Sequence, residues 1–79
     1  MNNFHLYIIK CKDNYLYVGI TDDIEKRISQ HKDGFCRNTK NRGIIQLAYT
    51  ESFKERSEAA KREKEIKGWR REKKEQLLK

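Results

Sequence analysis

The chain has 79 residues, of which 35% are hydrophobic and 39% are charged, and its formal net charge is +7. This length supports one small domain with a thin hydrophobic core. No stretch approaches the roughly 18 apolar residues of a membrane-spanning helix, and the N-terminus lacks the pattern of a signal peptide, so we expect a cytoplasmic protein without a membrane segment.

The first predicted element is a β-hairpin. Residues 6–10 and 15–20 are rich in aromatic and β-branched side chains, as strands are. A three-residue loop between them pairs Tyr7 with Gly19 and places Tyr7 and Tyr17 on one face, about 7–8 Å apart at the backbone. A two-residue loop would place the two tyrosines on opposite faces, because side chains alternate along a strand.

A helix is predicted next, from about Ile24 to Lys32. Residues 21–23, Thr-Asp-Asp, supply a capping side chain and negative charge at its first turn. Its apolar stripe is short, and Arg27 and His31 lie on the same side as the two isoleucines, Ile24 and Ile28. A purely structural helix would carry aliphatic side chains at these two positions, so both are candidates for a site.

The second half of the chain predicts a basic loop, a third strand and two helices. The loop spans residues 35–43 and includes Arg37, Lys40 and Arg42, and the strand alternates Ile45, Leu47 and Tyr49. Ser52 or Ser57 is expected to cap a helix that runs to Lys67 and stops at Gly68, with Ala59, Glu63 and Ile66 on one side. Trp69, Leu77 and Leu78 indicate a short final helix that folds back on the core.

Together these elements predict a single α/β domain over residues 1–79, in the order β-β-α-β-α-α, with helices packed on a three-stranded antiparallel sheet. Positive charge is concentrated in two places. Residues 32–42 carry four basic and one acidic side chain, and residues 53–79 carry eleven and six. Such a distribution fits a phosphate backbone as partner, although a solvated helix with ordinary i,i+4 ion pairs would also explain the C-terminal surplus.

Five polar side chains are expected to lean inward from different elements: Tyr7, Tyr17, Arg27, His31 and Glu63. Phosphodiester hydrolysis needs a deprotonated water, a cation beside the phosphoryl oxygens and a metal or an acid for the leaving oxygen. Arg27 suits the phosphate, and Glu63 suits one Mg²⁺ whose other ligands are waters and phosphate. Either tyrosine could orient or deprotonate the water, although phenols are poor bases unless nearby positive charge lowers their pKa, and His31 could relay the proton.

These residues resemble the motifs of the GIY-YIG nuclease superfamily over nearly the whole chain. The resemblance rests on Leu6-Tyr7-Ile8, on Tyr17-Val18-Gly19, on Arg27 with His31 one turn later, and on the later helical Glu63. The chain is most similar to the small stand-alone bacterial members, with Thr39 and Arg42 in the loop and Arg62-Glu63 followed by Ile66-Lys67 in the helix. As a combination this pattern is specific, whereas each tripeptide alone is weak.

The resemblance implies a metal-dependent endonuclease that uses one Mg²⁺ or Mn²⁺ ion. The family's roles then fall on Tyr7 or Tyr17 for activating water, Arg27 for the scissile phosphate, His31 for proton transfer and Glu63 for the metal. DNA is the expected partner, with RNA as the second option, and the expected backbone contacts are Arg37, Thr39, Lys40, Arg42 and Lys67. The chain departs from the family where His5-Leu6-Tyr7 replaces Gly-Ile-Tyr, where Val18 replaces isoleucine, and where no asparagine follows Glu63.

Two other functions stay open on the sequence. A nucleic-acid-binding module with little or no turnover is favoured by the short chain and by the missing asparagine. An adaptor that binds another protein would use an exposed Trp69 and the leucine-ended tail.

Overall fold

The computed structural model describes residues 3–12, 15–32 and 44–78. In chain order its elements are strands β1 (Phe4–Cys11) and β2 (Leu16–Thr21), helix α1 (Ile24–Lys32), strand β3 (Ile44–Phe53) and helices α2 (Arg56–Lys67) and α3 (Arg71–Leu77). This confirms the predicted α/β class and the order β-β-α-β-α-α. Among the described residues, none of the helices combines the length and apolar character needed to cross a membrane.

The sheet has the strand order β2-β1-β3, and both pairings are antiparallel. In the hairpin Tyr7 pairs with Gly19 and Ile9 with Tyr17, and the Cys11 backbone N–H donates to the Tyr15 carbonyl oxygen over 2.9 Å. This is the register of a three-residue loop, so the predicted placement of the two tyrosines on one face is confirmed.

The two faces of the sheet carry different helices. One face, termed here the α1 face, buries Tyr7, Ile9 and Cys11, against which Ile24 and Ile28 of α1 pack. The other, termed the α2–α3 face, buries the apolar cluster Leu6, Ile8, Leu16, Val18 and Ile66, against which Trp69, Leu77 and Leu78 also pack. β1 is therefore covered on both faces, which explains its unbroken apolar run. The final helix folds back on the core as predicted, and Trp69 is half-buried instead of exposed.

The third strand is longer than its sequence pattern indicates, and its alternation is interrupted. Ile8 pairs with Tyr49 but Ile9 pairs with Leu47, so Ala48 is an extra residue that forms a bulge. Because a bulge inverts the faces of the residues that follow, Leu47 lies on the α1 face and Tyr49 on the α2–α3 face. The simple alternation predicted for this strand is therefore wrong between Leu47 and Tyr49.

Helix α1 has the predicted bounds, and its start is fixed by the predicted acidic segment. The Asp23 carboxylate accepts the Lys26 backbone N–H over 3.1 Å, and the Thr21 hydroxyl accepts the Asp23 N–H over 3.1 Å. Asp23 is therefore the N-cap, and it satisfies one of the N–H groups that a helix start leaves without a partner.

Helix α2 ends at Lys67 before Gly68, as predicted, but its start differs from the prediction. Its N-cap is Glu55, which makes no side-chain capping hydrogen bond, whereas Ser52 lies in β3 and Ser57 lies inside the helix. The helix is held instead by a two-point ion pair in which Arg62 Nε and Nη2 donate to the Glu51 carboxylate on β3 over 3.1 and 3.2 Å. The contact with β3 therefore holds α2 in place, although the N-terminus of the helix has no side-chain cap.

Candidate active site

The Tyr7 hydroxyl lies at the centre of a hydrogen-bonded group on the α1 face. Arg27 Nε donates to the Tyr7 oxygen over 3.2 Å, and the same oxygen lies 2.9 Å from His31 Nε2. With the guanidinium donating to the oxygen, the hydroxyl hydrogen can point to Nε2, so we assign His31 the tautomer that leaves Nε2 unprotonated. One phenol thus contacts both a permanent cation and a proton acceptor.

Tyr17 completes this group through its ring. The Tyr17 ring centroid lies 6.1 Å from that of Tyr7 and 4.9 Å from that of His31, and the latter contact is edge-on. Such distances are within the range of favourable aromatic packing. The fold therefore brings together four predicted site residues from three separate elements, namely Tyr7, Tyr17, Arg27 and His31. We call these four residues the Tyr7 cluster.

Gly19 is the residue of β2 that makes room for this cluster. A Cβ atom at this position would lie 2.6 Å from the Tyr7 hydroxyl oxygen and 3.1 Å from a ring carbon of Tyr17. The first distance is shorter than a Cβ contact allows and the second is tight, so any side chain here would have to displace the Tyr7 phenol. The last position of the Tyr17-Val18-Gly19 motif therefore requires glycine in this chain, because a Cβ atom would overlap Tyr7.

Burial divides the Tyr7 cluster into an inner and an outer pair. Tyr7 is fully buried and His31 is 2% exposed, whereas Tyr17 and Arg27 are half-buried. Burial, with a smaller contribution from the charge of Arg27, lowers the pKa of His31 from 6.5 to about 4. At neutral pH the imidazole is therefore uncharged, and its Nε2 can accept a hydrogen bond from the Tyr7 hydroxyl.

A cavity of about 280 Å³, called the Arg27 cavity below, opens beside Arg27 at the end of β2. The cationic side chains that line it are Lys26, Arg27 and Arg56, and Gln30 also contributes. Gln30 Oε1 accepts a hydrogen bond from Arg27 Nη1 over 3.0 Å, which helps to orient the guanidinium. Asp22 and Asp23 lie on the same rim, and the Asp23 carboxylate is engaged in capping α1. A cation-rich cavity of this size can admit a phosphate group.

Glu63 stands on the other side of the sheet from the Tyr7 cluster. It is half-buried on α2 between Ala59 and Ile66, the two buried residues of that helix, and its carboxylate contacts Lys67 Nζ at 3.2 Å. Lys67 in turn lines a cavity along the edge strand β2 together with Tyr17. The acid and the phenols therefore approach β2 from its two faces.

The chemistry of the donor set limits what kind of metal site could form. Within residues 3–12, 15–32 and 44–78, no group of three or more His, Cys, Asp or Glu side chains is placed to hold an ion. Mg²⁺ keeps several waters and is often bound by one or two carboxylates plus substrate phosphates. Glu63 thus fits a site that a bound phosphate completes and does not form a preformed cage.

The remaining predicted nucleic-acid contacts divide into two groups. Arg37, Thr39, Lys40 and Arg42 lie outside the described residues, and Lys67 lies on the exposed side of α2 beside Glu63. Sequence reasoning missed Gln30 and the Arg27 cavity. The sequence could have indicated Gln30, because this residue stands three positions after Arg27 on the same helix and can therefore contact it.

Comparison with known proteins is consistent with this geometry. The family described as the GIY-YIG catalytic domain matches residues 3–76. A UPF0213 protein of Staphylococcus saprophyticus is 49% identical over 99% of this chain and 96% of its own length, and one of Haloquadratum walsbyi is 46% identical over 98% and 89%.

Two solved structures are also similar. The solution NMR structure of a UPF0213 protein from Bacillus halodurans has a TM-score of 0.63 at 40% identity and covers 96% of this chain and 82% of that one. The NMR structure of a protein from E. faecalis has a TM-score of 0.67 at 35% identity and covers 99% and 88%.

Proposed function

This chain belongs to the GIY-YIG family of catalytic domains, whose small UPF0213 members are its close relatives, and from that premise we propose that it is a metal-dependent endonuclease that hydrolyses phosphodiester bonds in DNA. The family implies a nuclease-type function and a divalent metal. The finer assignment is supported by one observation above all, namely the contact of the Tyr7 oxygen with both Arg27 and His31.

Binding of the substrate begins at Arg27 in this proposal. The guanidinium stays charged at any working pH and matches two oxygens of a phosphate group. It borders the Arg27 cavity, where Lys26 and Arg56 add positive charge. A scissile phosphate in this cavity would place its negative charge beside Arg27, and the charge that develops in the transition state would be stabilised there.

Proton transfer then runs through Tyr7 and His31. A water between the phosphate and the Tyr7 oxygen would give its proton to that oxygen, while the phenol proton passes to Nε2 of the neutral imidazole. Arg27 Nε, which donates to the same oxygen in this structure, would offset the partial negative charge that develops there during the transfer. Because Tyr7 is fully buried, the side chains that cover it must first shift before water can reach the phenol.

Glu63 is the proposed ligand of one Mg²⁺ or Mn²⁺ ion. When bound, the ion polarises the phosphate and stabilises the leaving oxygen. Lys67 occupies the Glu63 carboxylate in this structure, so this lysine has to release the carboxylate as the site fills. The backbone contacts of the nucleic acid are proposed for the basic residues Lys67, Arg37, Lys40 and Arg42 and for the hydroxyl of Thr39.

The test is cleavage of supercoiled and branched DNA with Mg²⁺ or Mn²⁺. Glu63→Gln and Arg27→Ala are expected to lower the cleavage rate by about 10²–10³-fold, because the first weakens the site for the metal ion and the second removes the cation beside the phosphate. Lys61→Ala, which removes a charge from the exposed side of α2, is the matched control and should cleave like the parent protein. Cleavage that is unchanged in the Glu63 and Arg27 variants would come from a contaminant and would reject the proposal.

A binding module with little or no turnover is the second candidate. It is favoured by the complete burial of Tyr7 and by the ion pair that engages the Glu63 carboxylate. The two candidates separate when DNA binding and DNA cleavage are measured on the same samples. A parent protein that binds DNA and cleaves none of the forms tested, with Mg²⁺ or Mn²⁺, would favour the module.

A further inference from the structure

A second cavity, of about 330 Å³, lies along β2 on the far side of Tyr17 from the Arg27 cavity. We call it the β2-edge cavity, and it is lined by Tyr15, Leu16, Tyr17, Val18, Lys67 and Lys74. β2 is an edge strand, since the sheet order is β2-β1-β3. The cavity therefore lies at a solvent-exposed edge of the sheet.

The side chains around this cavity are sorted by the alternation of the strand. Leu16 and Val18 are buried in the apolar cluster of the α2–α3 face, so Tyr17 points to the opposite face, and Tyr15 lies just before the strand. Lys67 and Lys74 come from α2 and α3, which cover the face of the leucine and the valine. The rings of Tyr15 and Tyr17 and the two lysine side chains thus border the same cavity.

Both kinds of side chain are accessible to a ligand. Tyr15 is 36% exposed, and the Lys67 side chain is 53% exposed. Lys67 contacts the Glu63 carboxylate at 3.2 Å, whereas Lys74 adds a second positive charge. An aromatic ring beside two ammonium groups suits a base stacked on the ring and a phosphate held by the lysines.

We propose that the β2-edge cavity binds one nucleotide of a single-stranded nucleic acid next to the bond that is cut, with the base on Tyr15 and the phosphate between Lys67 and Lys74. The proposal rests on the proposed nuclease function, because Tyr17 borders this cavity and also belongs to the Tyr7 cluster. A strand that follows β2 would pass from the β2-edge cavity to the Arg27 cavity at its other end. The substrate class is single-stranded because a duplex hides the faces of its bases.

The test is the equilibrium binding of short fluorescent oligonucleotides, measured by anisotropy in EDTA so that no cleavage occurs. Tyr15→Ala is expected to weaken binding of oligothymidylate by about 10-fold, because base stacking on the ring is lost, and to leave binding of an abasic oligonucleotide within about twofold. Tyr15→Phe keeps the ring face and should bind like the parent. Retained binding of the abasic oligonucleotide by Tyr15→Ala shows that its loss of oligothymidylate affinity is not a failure to fold.

The lysines are tested by salt dependence. Lys74→Ala should weaken both oligonucleotides, and it should lower the slope of the logarithm of affinity against the logarithm of salt concentration by about 0.7, as expected for one lost phosphate contact on a single strand. Lys61→Ala makes the same change in charge on α2 outside the cavity. It should lower the slope by less than Lys74→Ala does.

Failure of this inference and failure of the nuclease proposal give different results. Unchanged oligothymidylate affinity in both Tyr15→Ala and Lys74→Ala, or tighter binding of a blunt duplex than of the single strand, would overturn the nucleotide site and leave DNA cleavage to be judged on its own. The expected binding losses in a protein that cleaves no DNA with metal would support the nucleotide site while rejecting the nuclease.

Discussion

The α2–α3 face of the sheet buries only apolar side chains at its centre, such as Leu6, Ile8 and Ile66, whereas the α1 face buries Tyr7 and His31 next to Ile9. Leu6 and Ile8 on one face and Tyr7 and Ile9 on the other come from the same strand, because successive residues of β1 point to opposite faces. The α2–α3 face gains free energy from burial of apolar surface. On the α1 face, each buried polar atom must instead be matched by a hydrogen bond.

The two faces of the sheet therefore make different contributions to this chain of 79 residues. The apolar face with its two helices supplies most of the stability, and the α1 face can therefore hold a buried phenol and a buried imidazole at fixed distances. Substitutions of buried residues should separate accordingly, with mainly stability lost in the apolar cluster of the α2–α3 face and mainly activity lost in the Tyr7 cluster.

The largest effect is expected for the inner phenol of the α1 face. Tyr7→Phe should lower the rate of DNA cleavage by about 10²–10⁴-fold, because the oxygen that accepts the proton of the attacking water is removed. Tyr17→Phe should lower it by less than about tenfold, since Tyr17 contributes its ring to the Tyr7 cluster. Initial cleavage rates with Mg²⁺ check this. A larger loss in Tyr17→Phe than in Tyr7→Phe would assign the proton acceptor to the other phenol.

The opposite face should respond in stability. Ile66→Ala removes a fully buried side chain from the apolar cluster and should lower the free energy of unfolding by about 3 kcal/mol. The cleavage rate per folded molecule should stay within about twofold. Ile28→Ala on α1 is the matched control, and its half-buried side chain should cost less. Urea unfolding checks both variants. Equal losses would contradict the proposed difference between the faces.

Acid should weaken the fold through His31. In the folded protein its pKa is about 4, against 6.5 for an ordinary histidine, so between these pH values the unfolded chain binds the proton and the folded chain does not. Stability should therefore fall as pH falls through this window, by up to about 3 kcal/mol in all.

The measurement is urea unfolding at several pH values, together with NMR titration of the two histidine side chains. In His31→Gln the part of the pH dependence that lies between 6.5 and 4 should be lost, whereas His5→Gln should keep it. Titration of folded His31 near pH 6.5 would contradict the buried, uncharged imidazole.

The smallest expected effect concerns two glycines. Gly19→Ala should lower the free energy of unfolding by about 2 kcal/mol, because its Cβ would overlap the Tyr7 hydroxyl. It should also slow cleavage by shifting that oxygen. Gly68→Ala is the control, because its Cβ would lie 3.4 Å from the nearest atom and its φ of −80° suits any residue. Its stability should change by less than about 0.5 kcal/mol. A tolerated Gly19→Ala would contradict the packing described here.

Much of the fold followed from local signals in the sequence. The capping segment before α1 and the loop length of the hairpin depend on neighbouring residues, and both predictions are confirmed. The bulge at Ala48 and the start of α2 at Arg56 were not predicted. Both arise from contacts between distant residues, since the bulge is set by pairing with β1 and α2 is held by the ion pair of Arg62 with Glu51.

For the candidate site, too, local patterns in the sequence could not predict contacts between distant residues. Periodicity placed Arg27 and His31 on one side of α1, and the pleat placed Tyr7 and Tyr17 on one face. Periodicity could not show that Tyr7 is fully buried or that His31 accepts from its hydroxyl, because both follow from how α1 packs on the sheet. The approach of Glu63 from the opposite face was equally inaccessible, since a helical pattern does not state which face of a sheet the helix covers.

The central claim is that the Tyr7 cluster and Glu63 act together on one phosphate at β2. The most direct measurement is a crystal structure of the Tyr7→Phe variant, in which cleavage is slowed, with Mn²⁺ and a short oligonucleotide. We expect one Mn²⁺ ion on the Glu63 carboxylate, with Lys67 displaced from it, and a phosphate group in contact with both that ion and the Arg27 guanidinium. A phosphate bound away from Arg27, or a metal bound away from Glu63, would contradict it.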